Sequence, residues 1–197
     1  MGVAEDISTV GILGYAMLSC ATLGEALALG VKYQRTAQNL CDVRLEEDAD
    51  QFTISAVTPF VLAPSGYRFA IEELFAGVME MIRIITGEAV YPTAIKCAYA
   101  DPGYRDRYED IFHCPVQFNE PGNRMEMAPT VLNLPVLQAN KLNASMSEKL
   151  CEDILHKYIG EEDLTTRIRH IILREPGTFP DEVTVAEALV MLSLIHI

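Results

Sequence analysis

The stretch that decides the fold is Tyr104 to Asn140, YRDRYEDIFHCPVQFNEPGNRMEMAPTVLNLPVLQAN. Just before it, Asp101 is placed to cap a helix and Pro102 to occupy its first position, where a missing N–H costs nothing, so a helix is expected to run to Phe112. Val116 to Phe118 and Arg124 to Met127 then flank Asn119-Glu120-Pro121-Gly122-Asn123, a turn composition that predicts a hairpin. With a strand expected over Thr93 to Tyr99, this half of the chain reads β-α-β-β.

Outward toward the N-terminus, Pro64 and Ser65 open the longest predicted helix, Gly66 to Thr86, which Gly87 stops. Ile71, Leu74, Phe75, Val78, Met81, Ile82 and Ile85 recur at helical spacing and form its core face, leaving Glu72, Glu73, Glu80 and Arg83 away from it. Asp42 to Leu45 and Gln51 to Val57 flank the acidic link Glu46 to Asp50, the pattern of a hairpin with a polar loop. Thr22-Leu23-Gly24-Glu25 is a capping box, in which the hydroxyl and the carboxylate satisfy free N–H groups at a helix start. That helix is expected to reach about Leu40, with Ala26, Gly30, Tyr33, Ala37 and Leu40 on its buried stripe. Val10 to Leu18 is an apolar run expected to be a strand; Glu5 and Asp6 precede it without Lys or Arg, which argues against an export signal.

The expected fold class is therefore α+β: two pseudo-repeated β-α-β-β modules bridged by the long helix and followed by C-terminal helices, the first over Ser147 to about Ile159. A single unrepeated mixed sheet with the same element order is the competing arrangement.

Three parts of the chain resemble a known family. Phe112-His113-Cys114-Pro115-Val116-Gln117-Phe118, the strand Asn123 to Met127, and Leu132-Asn133-Leu134-Pro135-Val136 resemble the closing half of the N-terminal effector domain of AraC-type transcription regulators, the "arabinose-binding" family. Leu13 to Tyr33, LGYAMLSCATLGEALALGVKY, is similar to an earlier part of that domain. From Leu164, LTTRIRHIILREPGTFPDEVTVAEALVM resembles the start of the family's helix-turn-helix domain through Pro180, Val185, Ala186 and Leu189. The resemblance implies an effector-binding domain over residues 8–158 and an incomplete N-terminal part of a DNA-binding domain over residues 163–197. An Arg-bearing recognition helix is expected after Met191, yet the chain reads Leu192-Ser193-Leu194-Ile195-His196-Ile197, so a truncated or misread C-terminus is expected and no DNA-binding residue is present. The family's effectors are chemically unrelated to one another, so its name does not imply arabinose.

Bulk properties agree with a sensor. The 197 residues, 50% of them hydrophobic, suffice for one good core with something small attached. A formal net charge of -13 opposes a phosphate-neutralising surface. The five cysteines are scattered without a C-x-x-C pair, which suits reduced thiols in a cytoplasm, and they read as small core residues. No apolar run has the length of a bilayer span.

No Gly-rich phosphate loop or nucleophile elbow is present, so no catalytic residues are assigned and the chain is not expected to be an enzyme. His113-Cys114 lacks further ligands at metal spacing, so neither a metal nor a cofactor is expected. Met79, Met81, Met125 and Met127 read as gap fillers of a core.

A solvated face is the ordinary reading of Glu72, Glu73 and Glu80. Lining a cleft between the modules, they would instead bind a cation such as an amine or a basic amino acid. Tyr15 and Tyr99, each at the end of a predicted strand, would supply an aromatic wall. These five residues are the ligand-binding candidates. The expected function is ligand-responsive transcription regulation of the AraC type; the alternative is a stand-alone small-molecule-binding module or hydrolase. Expected partners are a small-molecule effector, DNA only through the missing C-terminal part, and a second copy as a homodimer; no membrane is expected.

Overall fold

The computed structural model describes residues 11–34, 40–59, 61–155 and 184. Helices α1 (Gly11–Leu18) and α2 (Leu23–Lys32) come first, followed by strands β1 (Asp42–Glu47) and β2 (Phe52–Val57) and the long helix α3 (Pro64–Thr86). Then come β3 (Ala94–Lys96), α4 (Arg105–Phe112), β4 (Val116–Gln117), β5 (Asn123–Met127) and a 3-10 turn over Pro129–Asn133. Residues 141–155 are helical (α5).

Among the described residues the strands form one five-stranded sheet in the order β1-β2-β5-β3-β4. All adjacent pairs are antiparallel except β3 with β4. Phe52, Ile54 and Ala56 stand opposite Met127, Met125 and Asn123, and Ile95 stands opposite Met125. All seven side chains are buried, and they point to the same face because side chains alternate along a strand. The α3 stripe Ile71, Phe75, Val78, Ile82 and Ile85 joins the same core. The other sheet face is polar, with Arg44, Thr53, Ser55, Arg124, Glu126 and Lys96. There Lys96 Nζ pairs with Glu126 Oε1 at 2.5 Å.

Three expectations are corrected. The apolar run ending at Leu18 is helix α1 rather than a strand, because a short run without periodicity fits either state and packing against α2 decides. The 116–127 segment is not a hairpin: β4 lies parallel to β3 across the α4 crossover, while β5 inserts between β2 and β3. The residues after β4 run beside those after β3, with Asn119 N–H donating to Tyr99 O and Glu120 N–H to Cys97 O, both at 3.0 Å. The first half accordingly reads α-α-β-β and the second β-α-β-β inside one sheet, so the element pattern is not repeated. Boundaries shift as well. Helix α2 ends at Lys32 with Leu40 exposed, and α4 begins at Arg105 because the Asp101 carboxylate takes the Gly103 N–H and the Arg105 guanidinium. Helix α5 starts at residue 141, where Asn140 Oδ1 accepts the N–H groups of Leu142 and Asn143, both at 3.1 Å. Residues 156–159 of the first expected C-terminal helix, any further C-terminal helix and the 163–197 segment fall outside the described residues, Thr184 excepted.

The motif segments prove to be joints. Thr22 Oγ1 accepts Glu25 N–H, and Glu25 Oε2 accepts Ala21 N–H at 2.9 Å, which is the expected capping box displaced by one residue at its second bond. Leu23 N–H donates to Leu134 O at 2.8 Å and Val136 N–H to Ala21 O at 3.1 Å, while Leu137 N–H reaches Ile85 O at 2.9 Å. The Leu132 to Leu137 segment thus straps the start of α2 to the end of α3. Gly24 permits this approach, since a Cβ there would lie 3.1 Å from Leu132 O. At the outer edge of the sheet, the Gln34 side chain pairs with β1 as a strand would: Oε1 accepts Val43 N–H at 2.7 Å and Nε2 donates to Val43 O at 3.1 Å.

Candidate functional site

Helix α4 and its N-cap residue present Tyr104, Tyr108 and Phe112 at successive steps of four along one side. Tyr104 and Tyr108 stack with centroids 5.6 Å apart and planes within 10°, and Tyr108 meets the Phe118 ring edge-on at 5.3 Å. Phe118 also lies 6.0 Å from Tyr99, which in turn packs edge-on to Tyr67 of α3 at 6.3 Å. Arg105 covers the Phe118 ring at 5.0 Å and donates to Val116 O at 3.0 Å. The result is an aromatic cluster between the first half of α3, α4 and the ends of β3 and β4.

Glu72 enters this cluster from α3. Its Oε1 accepts the Tyr104 hydroxyl at 3.1 Å and, more closely, the Tyr108 hydroxyl. Arg68, one turn earlier, brings Nε to 3.8 Å of the same oxygen and its guanidinium to 5.8 Å of the Tyr104 ring centre. Tyr99 and Tyr108 join their hydroxyls at 3.2 Å. Burial pushes the Tyr99 phenol well above its ordinary value, aided by hydrogen bonding with Cys97 and Tyr108. Burial followed by the Glu72 carboxylate does the same for Tyr108. Both are neutral phenols at physiological pH. Because the single Tyr108 proton is directed at Glu72, Tyr99 must donate to Tyr108, and the chain runs Tyr99 to Tyr108 to Glu72.

Of the five sequence candidates, the structure links Glu72 and Tyr99 through Tyr108. Glu73 is exposed on α3. Glu80 is ion-paired with Arg83 at 2.5 Å, and that guanidinium holds its carboxyl below the ordinary value. Tyr15 is 57% exposed on α1 and contributes to none of the cluster's hydrogen bonds or ring contacts given above. Tyr67, Arg68, Tyr104, Tyr108 and Phe118 were not among the candidates, although the fourfold spacing of Tyr104, Tyr108 and Phe112 signals a single aromatic face.

A shallow concavity at the β1 edge, lined by Gln34, Asp42, Arg44 and Pro59 among others, is floored by the strand that Gln34 already pairs. It offers less chemistry than the cluster. Among the described residues no group of three or more His, Cys, Asp or Glu is arranged to hold a metal ion, and no helix is long and apolar enough to cross a membrane.

Comparison with known proteins places the chain in a family. The chain is 32% identical over 181 residues to the ornithine utilization regulator of Pseudomonas aeruginosa, covering 92% of this chain and 53% of that protein. It is 26% identical over 192 residues to an uncharacterized HTH-type transcriptional regulator of Mycobacterium tuberculosis, covering 92% of this chain and 54% of the relative. The chain thus spans about half the length of the curated relatives it matches. The crystal structure of the transcriptional regulator CdpR from Pseudomonas aeruginosa has the same fold, with a TM-score of 0.65 at 17% identity over 95% of this chain and 61% of that one. Residues 1–136 match the model for the arabinose-binding domain of AraC transcription regulators, N-terminal, and the chain therefore belongs to that family.

Proposed function

We propose that this chain is the effector-sensing part of an AraC-type transcription regulator and that it binds a small cationic metabolite, an amine or basic amino acid, at the Glu72–Tyr104–Tyr108 cluster. The observation that carries this reading is a half-buried carboxylate that accepts the hydroxyls of two stacked tyrosines. A carboxylate beside aromatic faces attracts an ammonium or guanidinium by charge and by the ring quadrupole together. The relative named for ornithine utilization adds support, because ornithine is itself a basic amino acid. Tyr99 extends the site as the remote donor of the hydroxyl chain; Glu73 adds negative potential along the same helix, the charge of Glu80 is offset by Arg83, and Tyr15 has the weakest claim.

DNA reading belongs, in this proposal, to a separate C-terminal part, of which residues 163–197 are the opening. Control then requires that the effector favour one arrangement of the sensor and DNA-reading parts, since equal affinity for both shifts nothing. The relatives are named as transcription regulators, which speaks against a hydrolase.

A thermal-shift panel of basic amino acids, diamines, sugars and organic acids tests the site, because a ligand that binds only the folded state raises its apparent stability. Stabilisation by cations that disappears in Glu72→Gln is the expected result. Stabilisation by organic acids that survives that substitution overturns the assignment.

A further inference from the structure

Resting on that reading of the site, we infer that Arg68 is a resident stand-in for the effector's cation, occupying the charge subsite of Glu72 and Tyr104 until a ligand displaces it. The guanidinium stands where a ligand cation would, above the Tyr104 ring at 5.8 Å and beside Glu72 Oε1. It is held there weakly. The Nε to Oε1 separation of 3.8 Å is too long for a hydrogen bond, and the Arg68 and Glu72 side chains remain 35% and 30% exposed. The order along the helix is also the poorer one, since an acid preceding its base by one turn interacts better than the reverse.

The same helix shows what a committed pair looks like. Glu80 precedes Arg83 and receives two bonds from it, from Nε at 2.8 Å and Nη2 at 2.5 Å. Arg68 makes no such bond to Glu72. Among the described residues, the polar contacts of Glu72 converge on Oε1 from Arg68, Tyr104 and Tyr108, which leaves Oε2 for an incoming donor. A ligand ammonium bound at Oε2 and the Tyr104 face would exchange one cation for another, with the phenols keeping the carboxylate in place. The resident arginine thereby sets a threshold: neutral molecules gain too little from the carboxylate to evict it.

Titration calorimetry on the full chain tests this with L-arginine as the cationic probe and L-citrulline as its neutral isostere. Arg68→Ala and Arg68→Met, the second keeping the aliphatic stem, are both expected to bind L-arginine about threefold to tenfold more tightly than the parent chain, the weight of one exposed ion pair and one ring contact. L-citrulline affinity should rise in both Arg68 variants too, because the threshold against neutral molecules is gone, and Glu72→Gln should lose the preference for L-arginine. Unchanged or weaker L-arginine binding in both Arg68 variants, with the Glu72 dependence intact, overturns the stand-in role and leaves the site assignment standing. Failure of L-arginine to bind the parent chain and both Arg68 variants overturns the site assignment and the inference with it.

Discussion

Asn123 holds Tyr67 at the head of the long helix: its Nδ2 donates to the Tyr67 hydroxyl at 2.7 Å while its Oδ1 accepts the Ala98 N–H at 2.9 Å. One side chain on β5 therefore positions both α3 and the residues that follow β3, the two elements that carry Glu72 and Tyr99. Replacing Asn123 with Ala strands the part-buried Ala98 N–H, which costs about 1–3 kcal/mol. Urea denaturation should show that loss, and cation binding should weaken with it. Undiminished stability would mean that water or a neighbour replaces the amide without penalty.

Tyr108 combines two contributions that substitution can separate. Tyr108→Phe keeps the stack and breaks the hydroxyl chain, at a cost of about 1 kcal/mol. Tyr108→Ala also empties the space between Tyr104 and Phe118, for about 3–5 kcal/mol. Equal losses in the two variants, measured by denaturant titration, would remove any role for the ring.

The two faces of α3 should differ sharply. Ile82 is fully buried, and Ile82→Ala is expected to cost about 2–5 kcal/mol. Glu80 sits on the exposed side with Arg83, so Glu80→Ala should change stability by less than about 0.5 kcal/mol. Comparable losses at both positions would contradict the orientation of the helix.

Stability should fall on the alkaline side. Burial pushes the thiols of Cys20, Cys41, Cys97 and Cys114 from the ordinary 9.0 up to about 11. Each group keeps its proton longer in the folded state than in the unfolded one. Their contribution is therefore complete below pH 9 and is lost as pH rises toward 11. Thermal melts between pH 8 and 11 should show a declining Tm, and a thiol reagent at pH 7.5 should label these cysteines only after unfolding. Rapid labelling of the folded chain would refute the burial.

Much of this fold was legible wherever local chemistry is strong. The capping box at Thr22, the α3 stripe from Ile71 to Ile85 and the β1-β2 hairpin all follow from spacing and turn composition. Strand order was not legible, because Pro121-Gly122 marks a change of direction without saying which strand receives the chain. The run before Leu18 failed for a related reason: an apolar segment without a polar face carries no period to read. At the site, Glu72 and Tyr99 could be singled out by type and position. Their connection through Tyr108 is a tertiary fact that depends on α4 crossing over to β4.

The Gln34 amide has a consequence for self-association. An unguarded outer strand is a template on which another chain can extend the sheet. Here the template at Val43 is already filled by a single side chain that mimics one residue of a neighbouring strand. Lengthening the sheet from β1 would require ejecting Gln34 first, so the protein carries its own stopper against edgewise growth at that point.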